Sequence, residues 1–162
     1  MKTVNELLEH ELQDLYSAET QALEAYPTLI ESAQDQQLKK AFEMHMKQTQ
    51  KQVERLEKAC ELMGCDPEGE TCVGIQGLIE ETENVLDEVE GEIADAALIG
   101  CAQKMEHYEI AAYGTARTLA QQAGMREIAD LLEQTLNEEK ETDAKLTKIA
   151  EGRVNKKAAD SK

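Results

Sequence analysis

A chain of 162 residues carries 34 acidic against 17 basic side chains, a formal charge of −17, with 41% hydrophobic and only 3% aromatic residues. That length makes one domain with a self-sufficient core, and its negative field disfavours phosphate backbones and anionic lipids, so nucleic-acid and membrane-surface binding are excluded as first readings. Ala, Leu, Glu, Gln and Lys dominate and strand-like alternation is absent, so the expected fold class is all-α.

The opening MKTVNELLEH bears charges where a secretory apolar region would have none. No apolar run approaches the roughly 18 residues of a membrane span, so a cytoplasmic protein is expected. A first helix is predicted over about 4–33, kinked at Pro27, with the stripe Leu8, Leu12, Leu15, Glu19, Ala22, Leu23. Asp35 marks a turn, and a second helix with the stripe Leu38, Phe42, Met46, Val53, Leu56, Cys60 runs to about Met63. Gly64 ends it, and Asp66-Pro67-Glu68-Gly69 reads as a loop. Residues 75–90 form a short acidic amphipathic helix. A long helix over about 92–123 carries Leu98, Ala102, Met105, Glu109, Ala112, Ala116, Leu119, with Glu106 one turn before Glu109, and Gly124 closes it. The last long helix runs to about Ala150 on the stripe Ile128, Leu132, Leu136, Glu139, Asp143, Leu146, Ala150. The domain is expected over 1–152, with 153–162 a flexible polar tail.

The connections select the architecture. Short turns join the first two long helices and the last two, making two antiparallel hairpins, and a long crossover with its own helix links them. That is the plan of a ferritin-like four-helix bundle. The hairpins echo each other: Leu15-Tyr16-Ser17-Ala18-Glu19 aligns with Ala102-Gln103-Lys104-Met105-Glu106, and Tyr26-Pro27-Thr28 with Tyr113-Gly114-Thr115.

Carboxylates interrupt these apolar stripes. An isolated ionised carboxylate in a packed core costs several kcal/mol, and several would repel one another unless a cation lay between them. Two-metal centres in such bundles use single glutamates on two helices and Glu-x-x-His on the other two. Glu19 and Glu106 fit the single positions, and Glu139 fits one motif glutamate. Thr49, Gln52 and Thr142 occupy the remaining motif positions. Substitutes lie a turn away: His45 before Thr49, Glu109 after Glu106, and Asp143 after Glu139. The candidate metal ligands are therefore Glu19, His45, Glu106, Glu109, Glu139 and Asp143, enclosing one or two ions. An oxygen-rich shell with one imidazole suits iron or manganese. Plainer roles stand against these: His45 as a hydrogen-bonded core histidine, and Glu19 or Glu106 paired with a base. Tyr16, one turn before Glu19, and Tyr113, one turn after Glu109, either hydrogen-bond to such carboxylates or simply pack, with packing the plainer role. His107 lies about 100° round the helix from Glu106, at an interface or behind a ligand. Cys60, Cys65 and Cys72 lack the usual zinc-knuckle spacing and read as buried or loop thiols. No phosphate-binding glycine loop, nucleophile elbow or HExxH is present.

The stretches Asp14-Leu15-Tyr16-Ser17-Ala18-Glu19, Ala41-Phe42-Glu43-Met44-His45, Val53-Glu54-Arg55-Leu56-Glu57, Gly77-Leu78-Ile79-Glu80-Glu81 and Glu106-His107-Tyr108-Glu109-Ile110-Ala111-Ala112-Tyr113-Gly114-Thr115 together resemble the YciF/YciE type of ferritin-like bacterial stress proteins, over about residues 3–150. The resemblance implies a dimeric, cytoplasmic four-helix bundle associated with stress responses and related to rubrerythrins and ferritins. Against the rubrerythrin pattern Glu19, Glu106 and Glu139 match, whereas Thr49, Gln52 and Thr142 depart from it. No rubredoxin-like cysteine module is present, so an electron donor would be external.

Two functions follow. One is a metal-binding stress protein that oxidises Fe(II) with oxygen or peroxide. The other is a non-enzymatic dimeric bundle with a decayed metal site, acting through its dimer or partner surface, for which the acidic 75–90 helix with Gly74 and Gly77 is the candidate.

Overall fold

Helix α1 (Val4–Ser32) opens on a threonine cap: the Thr3 hydroxyl accepts from Glu6 N at 3.2 Å, and the Glu6 carboxylate reaches back to accept from Lys2 N. The chain turns at Asp35, whose carboxylate accepts from Gln37 N and Leu38 N at 2.8 and 3.1 Å and so starts helix α2 (Gln36–Met63). Gly64, at φ 81°, ends α2 in the left-handed conformation that a side chain would strain. Helices α3 (Val73–Glu88), α4 (Glu92–Gln122), α5 (Arg126–Ile149) and α6 (Asn155–Asp160) follow, with a π-helical segment Ala150–Val154 between the last two. The computed structural model describes residues 1–160, and no strand occurs among them.

The architecture is an all-α helical bundle of the expected plan. Hairpin α1–α2 packs on hairpin α4–α5, through α1 against α4 and α2 against α5, and the crossover helix α3 lies against α1 and α4. Gly74 lets α3 approach: a Cβ there would lie 2.5 Å from the Tyr108 ring. The α1–α2 turn is tied to the second hairpin by Asp95, which accepts from Gln34 N and Asp35 N at 2.8 Å each.

Helix α1 runs through Pro27, as expected, with the ring on the exposed face. One boundary differs from expectation. The polar tail expected from residue 153 is instead helical to Asp160: Val154 is buried, and Arg153 binds the Asp35 carboxylate, with Nη2 2.6 Å from Oδ1. One apolar side chain and one ion pair anchor a segment whose average composition is that of a frayed end. Residues 161 and 162 lie outside the described range.

The interior is layered. One apolar cluster holds Ala22, Tyr26 and Leu29 of α1, Leu38 and Phe42 of α2, Leu98 and Met105 of α4 and Leu146 of α5. A second holds Leu8, Leu12 and Leu15, Leu56 and Cys60, Tyr113 and Ala116, and Leu132 and Leu136. Each long helix passes from one cluster to the other, and at the crossing it carries its buried polar residues: Glu19 on α1, His45, Thr49 and Gln52 on α2, Glu106 and Glu109 on α4, Glu139 and Thr142 on α5. A polar layer thus cuts the bundle between two cores of burial-stabilised leucine and aromatic packing.

Candidate metal centre

Four side chains converge in that layer. His45, Glu106, Glu109 and Glu139 are all buried, and each offers a ligand atom within 4.8 Å of the others'. The centre is built by helical spacing: Glu106 and Glu109 at i, i+3 share one face of α4, while His45 and Glu139 come from the facing helices α2 and α5.

His45 Nε2 lies 3.2 Å from both Glu106 Oε1 and Glu139 Oε2. Its other nitrogen, Nδ1, lies 3.2 Å from Gln48 Oε1 and 3.1 Å from Thr142 Oγ1. The amide oxygen only accepts, so Nδ1 carries a proton and donates it, and Nε2 is the nitrogen that faces the acids. One nitrogen cannot satisfy two carboxylates. Glu106 Oε2 and Glu109 Oε1 have no hydrogen-bond partner, Glu139 Oε2 meets only the His45 Nε2 that it shares with Glu106, and the Gln52 amide oxygen has none. Several buried acceptors facing one another without donors are the arrangement a cation would complete.

Glu19 borders this group. Tyr113 donates to Glu19 Oε1 at 2.6 Å, so the hydroxyl holds its proton on that carboxylate. Gln52 donates to Glu139 Oε1 and, at 3.1 Å, to Glu138 Oε2. Arg55 in turn grips Glu138 through two bonds of 2.7 and 2.8 Å and reaches Thr135 Oγ1 at 3.1 Å. This chain of donors runs from the half-buried edge inward and fixes the face of the Gln52 amide presented to Glu139.

The electrostatics record the crowding. Burial, then the Glu139 charge, pushes the Glu19 carboxyl up to about 8, against opposing effects of Tyr113 and His45. Burial also raises Glu139 to about 8, although His45 pulls it down. Glu109 is held well above the usual carboxylate range by burial and then by Glu19, Glu139 and Glu106. For His45 burial favours the neutral ring, but Glu106 and Glu139 override it and raise the imidazole well above its usual value. Tyr26, whose ring meets His45 edge-on at a 5.6 Å centroid distance, is raised well above its usual value by burial and by Glu106.

Of the six residues nominated from sequence, the fold brings His45, Glu106, Glu109 and Glu139 together and sets Glu19 beside them. Asp143 stands apart on the rim. Its Oδ1 accepts from Gln103 Nε2 at 2.8 Å and lies 3.2 Å from His107 Nε2. From Glu139, a step of three residues reaches the buried Thr142; the next residue turns about 100° further, out of the layer. Missed from sequence were the hydrogen-bonding roles of Gln48, Gln52 and Thr142, and for Tyr113 the hydrogen bond to a carboxylate holds over the plainer packing role. The signal available for Gln52 and Thr142 was that both stand at motif positions.

Comparison with known proteins gives the family and the fold. The family described as a domain of unknown function, DUF892, matches residues 3–159. The chain belongs to that family. It is 46% identical over 160 residues to protein YciF of Escherichia coli K12, covering 98% of this chain and 96% of YciF. The crystal structure of that E. coli stress protein superposes with a TM-score of 0.91, covering 96% of this chain and 99% of the other. YcfI of Rhodopseudomonas palustris matches at 40% identity and a TM-score of 0.88, over 91% and 94% of the two chains. A Xanthomonas campestris protein at 24% identity and a TM-score of 0.73, over 94% of each chain, shares the fold. Among the described residues no helix is long and apolar enough to cross a membrane.

Proposed function

We propose that this YciF-like protein is a cytoplasmic, ferritin-like stress-response protein that holds iron or manganese in its polar layer. The ligands are His45, Glu106, Glu109 and Glu139, with Glu19 flanking them. The observation that carries the reading is the convergence on one nitrogen, His45 Nε2, of the Glu106 and Glu139 carboxylates, while Glu106 Oε2 and Glu109 Oε1 have no donor at all. The donor set fits the metals: carboxylate oxygens with one imidazole nitrogen favour iron or manganese over the softer thiolate-preferring ions. Four ionised glutamates call for four positive charges, which two divalent ions would supply and one would half supply.

When bound, a redox-active ion of this kind supplies electrons for reducing oxygen or peroxide. The chain supplies the setting. The apolar layers above and below exclude bulk water, Tyr113 keeps a proton at Glu19 Oε1, and Gln48 keeps one at His45 Nδ1. Gln52 orients Glu139. The protein works as a homodimer and draws electrons from an external donor.

A second reading is favoured by the Gln52 and Tyr113 contacts, which neutralise part of the layer without metal. In it the bundle is non-enzymatic and a dimer or partner surface carries the function. The deciding experiment is anaerobic loading with Fe(II), desalting, and metal counting by mass spectrometry. Near two ions per chain supports a dinuclear centre and near one a single occupied position. Near zero, with manganese and zinc equally absent, overturns the metal reading in favour of the second.

A further inference from the structure

The C-terminal end of α2 places two thiols in contact, and helix-capping geometry explains why. Counting back from Gly64 at the left-handed position, Cys60 is the third residue from the end of the helix and Cys65 is the second residue beyond it. In a Schellman cap the amide of the latter bonds the carbonyl of the former, and the two side chains meet. Both cap bonds are present: Cys65 N donates to Cys60 O at 3.0 Å and Gly64 N to Glu61 O at 3.2 Å. The path through the first bond limits the two Cα atoms to a separation of about 7 Å even if fully extended. Disulfides have Cα separations of about 4.4 to 6.8 Å. A side-chain pair that is usually a small hydrophobic clasp is here two sulfurs in side-chain contact, both free.

We propose that Cys60 and Cys65 are a peroxide-reactive dithiol that closes to a reversible intrachain disulfide. The two members are not equivalent. Cys60 is buried in the second apolar cluster and Cys65 is half-buried beside it. Burial pushes the Cys60 thiol up to about 12, with Cys65 adding to the rise. Burial raises Cys65 as well, but the hydrogen bond from Cys60 pulls it back. Cys65 is therefore the accessible sulfur and the first to lose its proton.

The chemistry balances with hydrogen peroxide as the oxidant. The Cys65 thiolate attacks one peroxide oxygen, the O–O bond breaks, and the departing hydroxide takes a proton to become water. Cys60 sulfur then attacks the Cys65 sulfenic acid, its S–OH bond breaks, and a second water leaves with the Cys60 proton. Two thiols lose two electrons and one peroxide becomes two waters. Raised thiol pKa values make the pair slow at neutral pH and faster as pH rises. The pair lies about 22 Å along α2 from His45, so the inference stands apart from the metal reading. The other two cysteines are placed differently: Cys72 donates to Tyr108 Oη at 3.1 Å, and Cys101 is buried on α4.

The test titrates the reduced, chelator-treated full chain with hydrogen peroxide at mildly alkaline pH and blocks remaining thiols with a maleimide. Two of the four thiols should disappear, with loss of two hydrogens from the intact mass, restored by dithiothreitol. A glutamyl endopeptidase cuts after Glu61, between the two cysteines, so bridged fragments should stay joined until reduced. Cys65→Ser should prevent bridging, Cys60→Ser should let Cys65 run on to sulfinic and sulfonic acids, and Cys72→Ser should change nothing. Should the fragments separate without reductant, or should Cys65→Ser still lose two thiols together, the proposal is overturned. The fragment test uses the native chain and decides even if a serine variant folds poorly.

Discussion

Two histidines in this molecule meet carboxylates at the same distance with opposite consequences. His107 Nε2 lies 3.2 Å from Asp143 Oδ1, with the histidine side chain 67% exposed. His45 Nε2 lies 3.2 Å from Glu106 and from Glu139, with its side chain 3% exposed. At the rim, Asp143 is shared by Gln103 and His107 and its side chain keeps 22% exposure to solvent. In the interior, buried acceptors outnumber donors. The contact chemistry, imidazole nitrogen on carboxylate oxygen, and the distance are therefore the same in the two places. Solvent access decides which surplus of negative charge needs a cation.

The strongest way to break that contrast is to remove an interior acid. Glu139→Ala deletes the carboxylate that faces both His45 and Gln52. Metal retained after desalting should drop to background, by far the largest change expected of any single substitution here. The metal-free variant should unfold at a denaturant concentration no lower than the parent, because a costly buried carboxylate is gone. Undiminished metal content in Glu139→Ala would falsify the ligand assignment.

Next in size is the response to pH. Glu19 and Glu139 sit at about 8 in the fold against a usual 4.5. A carboxyl raised in this way contributes stability that is fully present below its unfolded value and is lost as pH climbs through the folded one. His45, raised above its usual 6.5, acts in the same direction, its contribution fading as pH climbs through its folded value. Metal-free protein should thus lose on the order of several kcal/mol between about pH 5 and pH 8. Saturating Mn(II), which needs ionised carboxylates, should oppose or reverse that slope. Melting curves at both pH values, with chelator and with Mn(II), check this; a chelated protein equally stable at both would contradict the buried-acid account.

A smaller effect isolates one donor. Tyr113→Phe leaves Glu19 Oε1 without its 2.6 Å hydrogen bond. The expected cost is about 1–3 kcal/mol in the metal-free protein, read from the denaturation midpoint. Metal should recover part of that loss, because the freed oxygen faces the same layer.

How much of this was legible follows from what each signal encodes. The helices and the crossover were visible because leucines at helical spacing mark a buried stripe, and Asp35, Gly64 and Gly124 mark its ends. Glu19, Glu106, Glu109 and Glu139 were visible because an acid inside such a stripe is conspicuous. The partners of Gln52, Thr142 and Tyr113 were not, since a neutral polar residue at a motif position, or a tyrosine on a stripe, does not name the side chain on another helix that it bonds. Val154 and Arg153 escaped for a related reason. Two anchoring contacts do not change the composition of a polar tail, yet they hold it against Asp35.

Asp143 sharpens the opening contrast with the smallest expected effect. It lies on the same helix as Glu139, one turn on, and its side chain is 22% exposed at the rim where that of Glu139 is fully buried in the polar layer. Asp143→Asn keeps the shape and an oxygen that can accept from Gln103 while removing the charge beside His107. Metal content should match the parent, and stability should move by less than about 0.5 kcal/mol, the range of an exposed ion pair. A clear loss of metal would mean that the rim carboxylate turns inward when an ion is present. The ligand shell would then extend one turn beyond the buried layer, and solvent access alone would no longer explain why the two contacts differ.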